Sequence, residues 1–163
     1  MKILMIGLLV FGTVSGLAPI SKADMHGEWS GDLSMNGEKC ISSVLVLCKT
    51  ESIFSIMKNE AKCGAMLVKG QPLIAQIQDG KLVVDGAIIG DISENSFSLK
   101  VSQDTNANEI SVQNDPVTNV MNFKQTLVMN NIPFFKFEGT YTRANTNPEL
   151  CEASGTSQKI EGL

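Results

Sequence analysis

The chain is poor in the residue types on which most catalytic and metal sites depend. It contains a single histidine, His26, together with one tyrosine and one tryptophan in 163 residues. His26 lies near the start of the expected mature chain, where a rigid general base is not expected. No glycine-rich loop precedes a helix, and no convincing nucleophile–base pair can be assembled. The sequence therefore predicts a protein that is not an enzyme and that carries no cofactor.

Basic charge is also scarce. Lys and Arg together number 13 against 17 acidic residues, and the formal net charge is −4. An acidic chain with scattered lysines gives no electrostatic footprint for nucleic acid or an anionic membrane. Beyond the N-terminal region no window approaches the ~18 apolar residues of a transmembrane helix. The expected partner is a small apolar ligand or another protein, and the expected state is a monomer.

Residues 1–23 have the features of a cleavable signal peptide. Lys2 provides a positive start, Ile3 to Phe11 forms a short apolar run, and Ser21-Lys22-Ala23 places small residues before the expected cleavage point. An uncleaved anchor is the less favoured alternative. The segment holds two lysines and no acid, so its removal would lower the formal net charge from −4 to −6. We expect a periplasmic or secreted protein.

The residues that follow predict an all-β fold. Short runs of alternating or β-branched residues are separated by turn residues at intervals close to ten, which is typical of a sandwich or barrel. We expect an antiparallel up-and-down meander of about 8–10 strands that closes into a small barrel, with little helix. The barrel domain would span 24–144, and a polar tail over 145–163 would be tethered through Cys151.

Turn chemistry marks the ends of these strands. Asn36-Gly37 and Asp79-Gly80 are strong two-residue hairpin signals because both central positions of a type I′ turn need positive φ. Gly90-Asp91 is interpreted as a further turn, and Gln103 to Asn108 as a polar loop.

The four cysteines lie in the exported part and are even in number, which predicts two disulfides with three possible connectivities. A zinc site is disfavoured because the chain has one histidine and no C-x-x-C pair. Residues 51–62 could form a helix or a strand, and the strand is favoured because its neighbours are strand-like. A hairpin centred between Glu51 and Ser52 places Cys40 opposite Cys63. Cys48 then remains for Cys151.

Gly27-Glu28-Trp29 opens the first strand and Arg143 closes the last. This pair of features resembles the lipocalins and the wider calycin group of barrels. The resemblance implies that Trp29 plugs one end of the barrel and that Arg143 stacks on it, a contact with a physical basis in cation–π attraction. Gly27, Trp29 and Arg143 are structural residues under this resemblance, and they do not bind ligand.

Two candidate functions follow. The first is an exported barrel that binds a small apolar or amphipathic ligand at its mouth. The second is a protein-binding module, such as an inhibitor or an envelope or host-interaction factor, that acts through Gln103 to Asn108, Asp115 to Thr118 or the tail. A dry, filled core is an open alternative for the candidate ligand-binding residues, which are inward-facing positions of the last two strands: Phe123, Leu127, Phe135, Phe137 and Tyr141.

A metal site is conditional on the cleavage point. If cleavage follows Ala23, the mature chain begins Asp24-Met25-His26. A free α-amine, two backbone amides and the His26 imidazole could then form a square-planar nitrogen set for Cu(II) or Ni(II).

Overall fold

A computed structural model describes residues 25–151. The predicted signal peptide, Asp24 and the tail beyond Cys151 lie outside the described residues. Within them the chain is almost entirely β-strand, with one helical turn at 149–151. The twelve strands are β1 Gly27–Met35, β2 Glu38–Lys39, β3 Ser42–Lys49, β4 Ile53–Cys63, β5 Met66–Lys69, β6 Leu73–Gln78, β7 Lys81–Val84, β8 Ala87–Ile92, β9 Ser96–Gln103, β10 Asn106–Asp115, β11 Val120–Met129 and β12 Ile132–Asn145.

The sheet closes on itself. Strands follow one another in antiparallel order from β3 through β12, and β1 pairs with both β3 and β12. The closing ladder runs from Glu28 opposite Asn145 to Met35 opposite Phe137. The short β2 belongs to the turn after β1, and β5 and β6 both pair with β4 and occupy one position in the wall. The wall therefore has ten strands. This confirms the predicted closed antiparallel meander, which leaves no free edge around most of its circumference.

The first two hairpin signals are confirmed. Asn36 and Gly37 have φ of 50° and 89°, and Asp79 and Gly80 have φ of 50° and 74°. These left-handed values are the ones that Asn, Asp and Gly adopt most readily.

The predicted turn at Gly90-Asp91 is wrong. Gly90 lies inside β8 and faces Leu99 of β9, and the turn lies at Asp85-Gly86 instead. A Cβ added to Gly90 would collide with the carbonyl oxygen of Ser98. Glycine is therefore required here because two strands approach closely, which is the other common reason for glycine in a strand.

The predicted polar loop over Gln103 to Asn108 is also wrong. Gln103 ends β9, Asn106 starts β10, and the two residues face each other across a tight turn at Asp104-Thr105. The strand interpretation of residues 51–62 is confirmed, because β4 pairs with β3 along its length and the helix alternative does not form. A bulge between Val46 and Leu47 shifts that register by one residue.

One side of the wall is incomplete. Strands β5 and β6 share a single register against β4 but are interrupted at residues 70–72, where Pro72 cannot donate a backbone hydrogen bond. The β7–β8 hairpin turns early, at Asp85-Gly86, and β8 meets β9 only as far as Leu99. Beyond Leu99, at the end of the barrel away from Trp29, β5 and β9 each pair with one neighbouring strand instead of two. The wall is therefore open between them at the end opposite Trp29.

The barrel end that contains Trp29, here called the closed end, is filled with side chains. Large residues from most strands are fully buried there, and the Phe54 and Phe97 rings lie 4.7 Å apart. The indole nitrogen of Trp29 donates to the Met25 carbonyl at 3.0 Å, which fixes the entering chain across this end. The opposite end is called the mouth.

Candidate functional site

A cavity of about 210 Å³ lies in the mouth half of the barrel. Its apolar walls come from strands on opposite sides of the lumen, and Gly70 at the interrupted strand completes one edge. In a barrel of eight strands the interior side chains are just able to fill the lumen. A barrel of ten strands is wider, so some space remains between them. The apolar lining residues are Leu33, Ala61, Val68, Leu127 and Phe137.

Three side-chain amides line the same cavity. The Asn59 amide nitrogen donates to the Gln125 side-chain oxygen at 3.3 Å, and the Gln125 nitrogen donates to the Asn108 oxygen at 3.0 Å. Asn59 comes from β4, whereas Asn108 and Gln125 come from β10 and β11, so the chain of amides crosses the lumen. We call it the amide chain. It separates the filled half of the barrel from the cavity above.

The amide chain leaves hydrogen-bonding capacity for a ligand. Each amide has two N–H donors and an oxygen with two lone pairs. Within residues 25–151, the Asn59 side-chain oxygen and the Asn108 side-chain nitrogen form no other hydrogen bond, and both residues are half-buried. One acceptor and one donor can therefore meet the polar end of a bound molecule.

The cavity contains no acidic or histidine side chain among its lining residues. Lys69 reaches its edge, and its ammonium nitrogen lies 3.1 Å from the Glu60 carboxylate on the outer wall. The hydrogen bond from Lys69 holds the pKa of the Glu60 carboxyl below its usual value, with a smaller contribution from Lys58. The site is therefore polar at its base and neutral, and its one cation has a partner.

The structure separates the five candidate ligand-binding residues into two groups. Leu127 and Phe137 line the cavity, and Phe135 packs beside Phe137 with ring centroids 6.2 Å apart. Phe123 and Tyr141 lie deeper, fully buried in an edge-to-face pair at 5.4 Å. For these two the filled-core alternative describes the structure, because no space remains beside them for a ligand.

The amide chain was not singled out from the sequence. Alternation along β11 does place Gln125 on the inward face between Phe123 and Leu127. A glutamine in an otherwise apolar inward series was the available signal. Asn59 gave no such signal, because the bulge in the β3–β4 ladder changes which residues of β4 face inward.

The structural residues lie where the resemblance implies. Trp29 faces Arg143 across the closing ladder, and the guanidinium carbon of Arg143 lies 4.6 Å from the indole centroid. Gly27 precedes them with φ of 141°, and a Cβ there would meet the Asn145 carbonyl oxygen at 2.6 Å. Glycine is thus required at the point where β1 and β12 close the barrel.

Disulfides join Cys40 to Cys63 and Cys48 to Cys151, the pairing that the hairpin register favours. The Cys40–Cys63 bridge is buried near the mouth, between the turn after β1 and the end of β4. The Cys48–Cys151 bridge fastens the chain after β12 to β3. The first bridge therefore constrains the mouth of the barrel, and the second constrains the closed end.

The conditional metal site stays a prediction, and the structure shows that the His26 ring already has a partner in the fold. The Nδ1 atom of His26 accepts a hydrogen bond from the Lys49 backbone nitrogen at 3.1 Å, and Met25 is fully buried. A square-planar set would need that nitrogen and the adjacent backbone amides. Asp24 lies outside the described residues. No cluster of three or more metal-ligating side chains occurs in residues 25–151.

Larger depressions of about 580 and 500 Å³ lie on the outer wall, along β6–β7 and along β8–β11. They are more open to solvent than the mouth cavity, and their polar groups, such as Gln76 with Gln78 and Lys100 with Glu109, lie on the outer surface and are paired with each other. We therefore regard the mouth cavity as the candidate site. Along the described part of the chain, no helix has the length and apolar character needed to cross a membrane.

The chain matches no protein-family model, and no curated protein is detectably similar to it in sequence. The closed antiparallel barrel is consistent with a calycin-like fold.

Proposed function

We propose that this protein is an exported, lipocalin-like binding protein that holds one small amphipathic molecule in the mouth cavity. The observation that carries the proposal is the amide chain beneath apolar walls. A few fixed polar groups within an apolar cavity orient a ligand, while the walls provide most of the binding free energy. The two disulfides support an oxidising compartment outside the cytosol.

The volume limits the size of the ligand. An apolar cavity of roughly 150 Å³ in another protein accommodates benzene. A cavity of about 210 Å³ therefore suits one ring or a short branched chain with a polar group, and it is too small for a long acyl chain. Neutral amides at its base favour an uncharged hydroxyl, carbonyl or amide group over a carboxylate or an ammonium.

The alternative, a protein-binding module that acts through its loops, has less support. Residues 103–106 form a tight polar turn, and Val117 is the one large apolar side chain exposed between Asp115 and Thr118. A single exposed valine is an ordinary surface feature.

The test is native mass spectrometry on protein purified from the compartment to which it is exported, beside an Ala61→Phe variant that fills the cavity. We expect the wild type to carry a small molecule that leaves on denaturation and the variant to carry none. Ala65→Phe, in the exposed turn between β4 and β5, is the matched control and should retain the molecule. Equal cargo on both variants would place the ligand elsewhere, and bare wild-type protein that also binds no benzyl alcohol in titrations would refute the proposal.

A further inference from the structure

The opening in the barrel wall, here called the wall gap, lies between two strand edges that face each other. Nearer the closed end, β7 and β8 fill the two positions between β6 and β9, but neither strand continues past the Asp85-Gly86 turn. Toward the mouth, β5 borders the gap on one side and the last four residues of β9, Lys100 to Gln103, border it on the other. Two missing positions correspond to three strand spacings, about 14 Å in all.

The backbone of β9 directs hydrogen-bonding groups into the wall gap at every second residue. The Ser98 carbonyl oxygen lies against Gly90 of β8, so Ser98 directs its backbone polar groups to that side of the strand. This direction alternates along an antiparallel ladder, so Lys100 and Ser102 direct theirs to the same side. Within residues 25–151, no strand pairs with this side of β9 beyond Leu99. Two N–H donors and two carbonyl acceptors therefore face the gap.

The opposite edge, on β5, is less firmly supported. The Gly70 backbone nitrogen donates to the Asn59 carbonyl of β4 at 2.7 Å, so Leu67 and Lys69 direct their backbone groups away from β4 and into the gap. Strand β5 has only four residues and ends at the interruption, whereas β9 has eight residues and pairs with β10 throughout. The β9 edge is therefore the more rigid template for an added strand.

A partly uncovered apolar side chain marks the same place on the inner face of β9. Phe97, Leu99 and Val101 alternate on that face, and the first two are buried while Val101 is 42% exposed. Val101 is uncovered because β8 does not reach it. A residue opposite Val101 on an added strand would face inward and pack against it, as cross-strand pairs do. Its two neighbours would face solvent beside Lys100 and Ser102.

The position of the two edges decides what kind of occupant fits. They face each other around the circumference, so an occupant has to lie within the wall itself. One extended segment takes up a single strand position of about 5 Å. The continuous wall of a second barrel would have to enter edge-first and would meet β5. An extended segment therefore fits and a second copy does not.

Charge places little restriction on that segment. Lys100 and Lys69 flank the gap, but their ammonium groups pair with Glu109 and Glu60 on the neighbouring strands, at 2.6 and 3.1 Å. Main-chain hydrogen bonds provide the affinity when a peptide adds to a sheet edge, and alternate side chains provide the specificity. We propose that the wall gap binds an extended peptide segment of another protein, which adds to β9 beside Lys100 to Gln103 with an apolar, β-branched residue against Val101.

The test is amide hydrogen exchange, followed by NMR, on the full-length exported protein with and without the peptide acetyl-Thr-Val-Thr-Val-Thr-amide. We expect the peptide to slow exchange at Lys100 and Ser102, whose amides face the gap. The slowing should be about tenfold when nine-tenths of the protein is bound, because only the unbound tenth then exchanges. Exchange at Val101 should not change, since its amide already faces β10.

Two substitutions at one position separate the backbone from the side chain. Ser102→Pro removes a donor that faces the gap and leaves the ladder with β10 intact, so it should weaken peptide binding at least about fivefold, the value of one net hydrogen bond. Ser102→Ala keeps that donor and should bind like the wild type. Thermal unfolding checks that both variants fold.

A matched pair of peptides tests the same contact without changing the protein. Methylation of the central threonine nitrogen, which would face β9, should weaken binding by a similar factor, and methylation of a valine nitrogen should not. The proposal is overturned if no amide is protected, if protection falls on Leu67 and Lys69 instead, or if Ser102→Pro and Ser102→Ala bind equally. It is also overturned if sedimentation shows wild-type dimers that Ser102→Pro separates, because the edge would then join two copies.

The ligand proposal and the strand-addition proposal are separable. Ala61→Phe, which fills the mouth cavity, should bind the peptide like the wild type. Ser102→Pro should still carry the small molecule.

Discussion

The side chains of Asn59 and Gln125 meet at 3.3 Å across the barrel lumen, although the residues are 66 positions apart on β4 and β11. This contact divides the interior. Below it the side chains are closely packed, and above it a cavity remains open toward the mouth. The division explains how one barrel can have both a filled interior and a space for a small ligand.

Removal of the central amide should change which ligands the cavity prefers. Gln125→Leu keeps the approximate volume but ends both hydrogen bonds of the amide chain. Benzyl alcohol and toluene serve as a matched probe pair that differs in a hydroxyl group. We expect the wild type to favour benzyl alcohol and the variant to lose about fivefold of that preference, the equivalent of one net hydrogen bond of ~1 kcal/mol.

Titrations followed by NMR would measure this preference. Thr126→Val, at the neighbouring position on the opposite face of β11, should leave it unchanged. An unaltered preference in Gln125→Leu would show that the amides do not contact the probe.

Alkaline pH should unfold the protein through Tyr141. Burial raises the pKa of this phenol above its ordinary value of about 10. Below pH ~10 the hydroxyl is protonated in both the folded and the unfolded state. Above it only the unfolded state releases the proton, so the free energy of unfolding should fall by about 1.4 kcal/mol per pH unit.

Tyr141 is the one tyrosine of the chain, so phenolate absorbance reports it alone. The absorbance should rise together with unfolding and not before. Tyr141→Phe should remove this part of the pH dependence. A phenolate signal that appears near pH 10 in a folded protein would contradict the prediction.

The Arg143–Trp29 contact should stabilise the closed end modestly. With the guanidinium carbon 4.6 Å from the indole centroid, we expect Arg143→Met to lower the free energy of unfolding by about 1–2 kcal/mol. Arg143→Lys should restore only part of it, because an ammonium cannot stack as a planar group. Urea unfolding would give the free energy of unfolding of the wild type and of both variants. Equal stability of wild type and Arg143→Met would show that the contact is energetically neutral.

The two disulfides should differ in their effect on stability. The Cys48–Cys151 bridge spans 103 residues and the Cys40–Cys63 bridge 23. Since a bridge restricts the unfolded chain more when it closes a longer loop, double replacement by alanine should cost about 4–5 kcal/mol for the first and about 3 kcal/mol for the second. Denaturant unfolding of the two double variants gives the order directly, and the reverse order would mean that folded-state packing dominates.

A methyl group at Gly31 should strain the closure of the barrel. A Cβ there would lie 2.5 Å from a Tyr141 ring carbon and 2.7 Å from the Thr140 carbonyl oxygen. We expect Gly31→Ala to destabilise the fold by about 1–3 kcal/mol, the range for overpacked cores. Ser30→Ala, at the adjacent exposed position, should change stability by less than about 0.5 kcal/mol. Thermal unfolding distinguishes them.

Local chemistry in the sequence was sufficient for much of the architecture. Asn-Gly and Asp-Gly pairs specify hairpins because few other residues adopt positive φ, and alternation along β12 specifies which face is buried. A hairpin centred beside Glu51 predicted that Cys40 and Cys63 lie opposite each other. These inferences depend on neighbours in the chain or on one ladder, so the sequence alone can support them.

Other features depend on contacts between distant segments. Gly90 has the sequence signature of a turn, but its place inside β8 is decided by the approach of Ser98 from the next strand. The amide chain needs one bulge in β3–β4 and the closure of ten strands to bring β4 opposite β11. The sequence by itself therefore determined most of the strand pattern, and it favoured the cysteine pairing that forms. Only the tertiary structure decided where the barrel is filled and where it is hollow, because packing across a lumen depends on shear, bulges and strand number together.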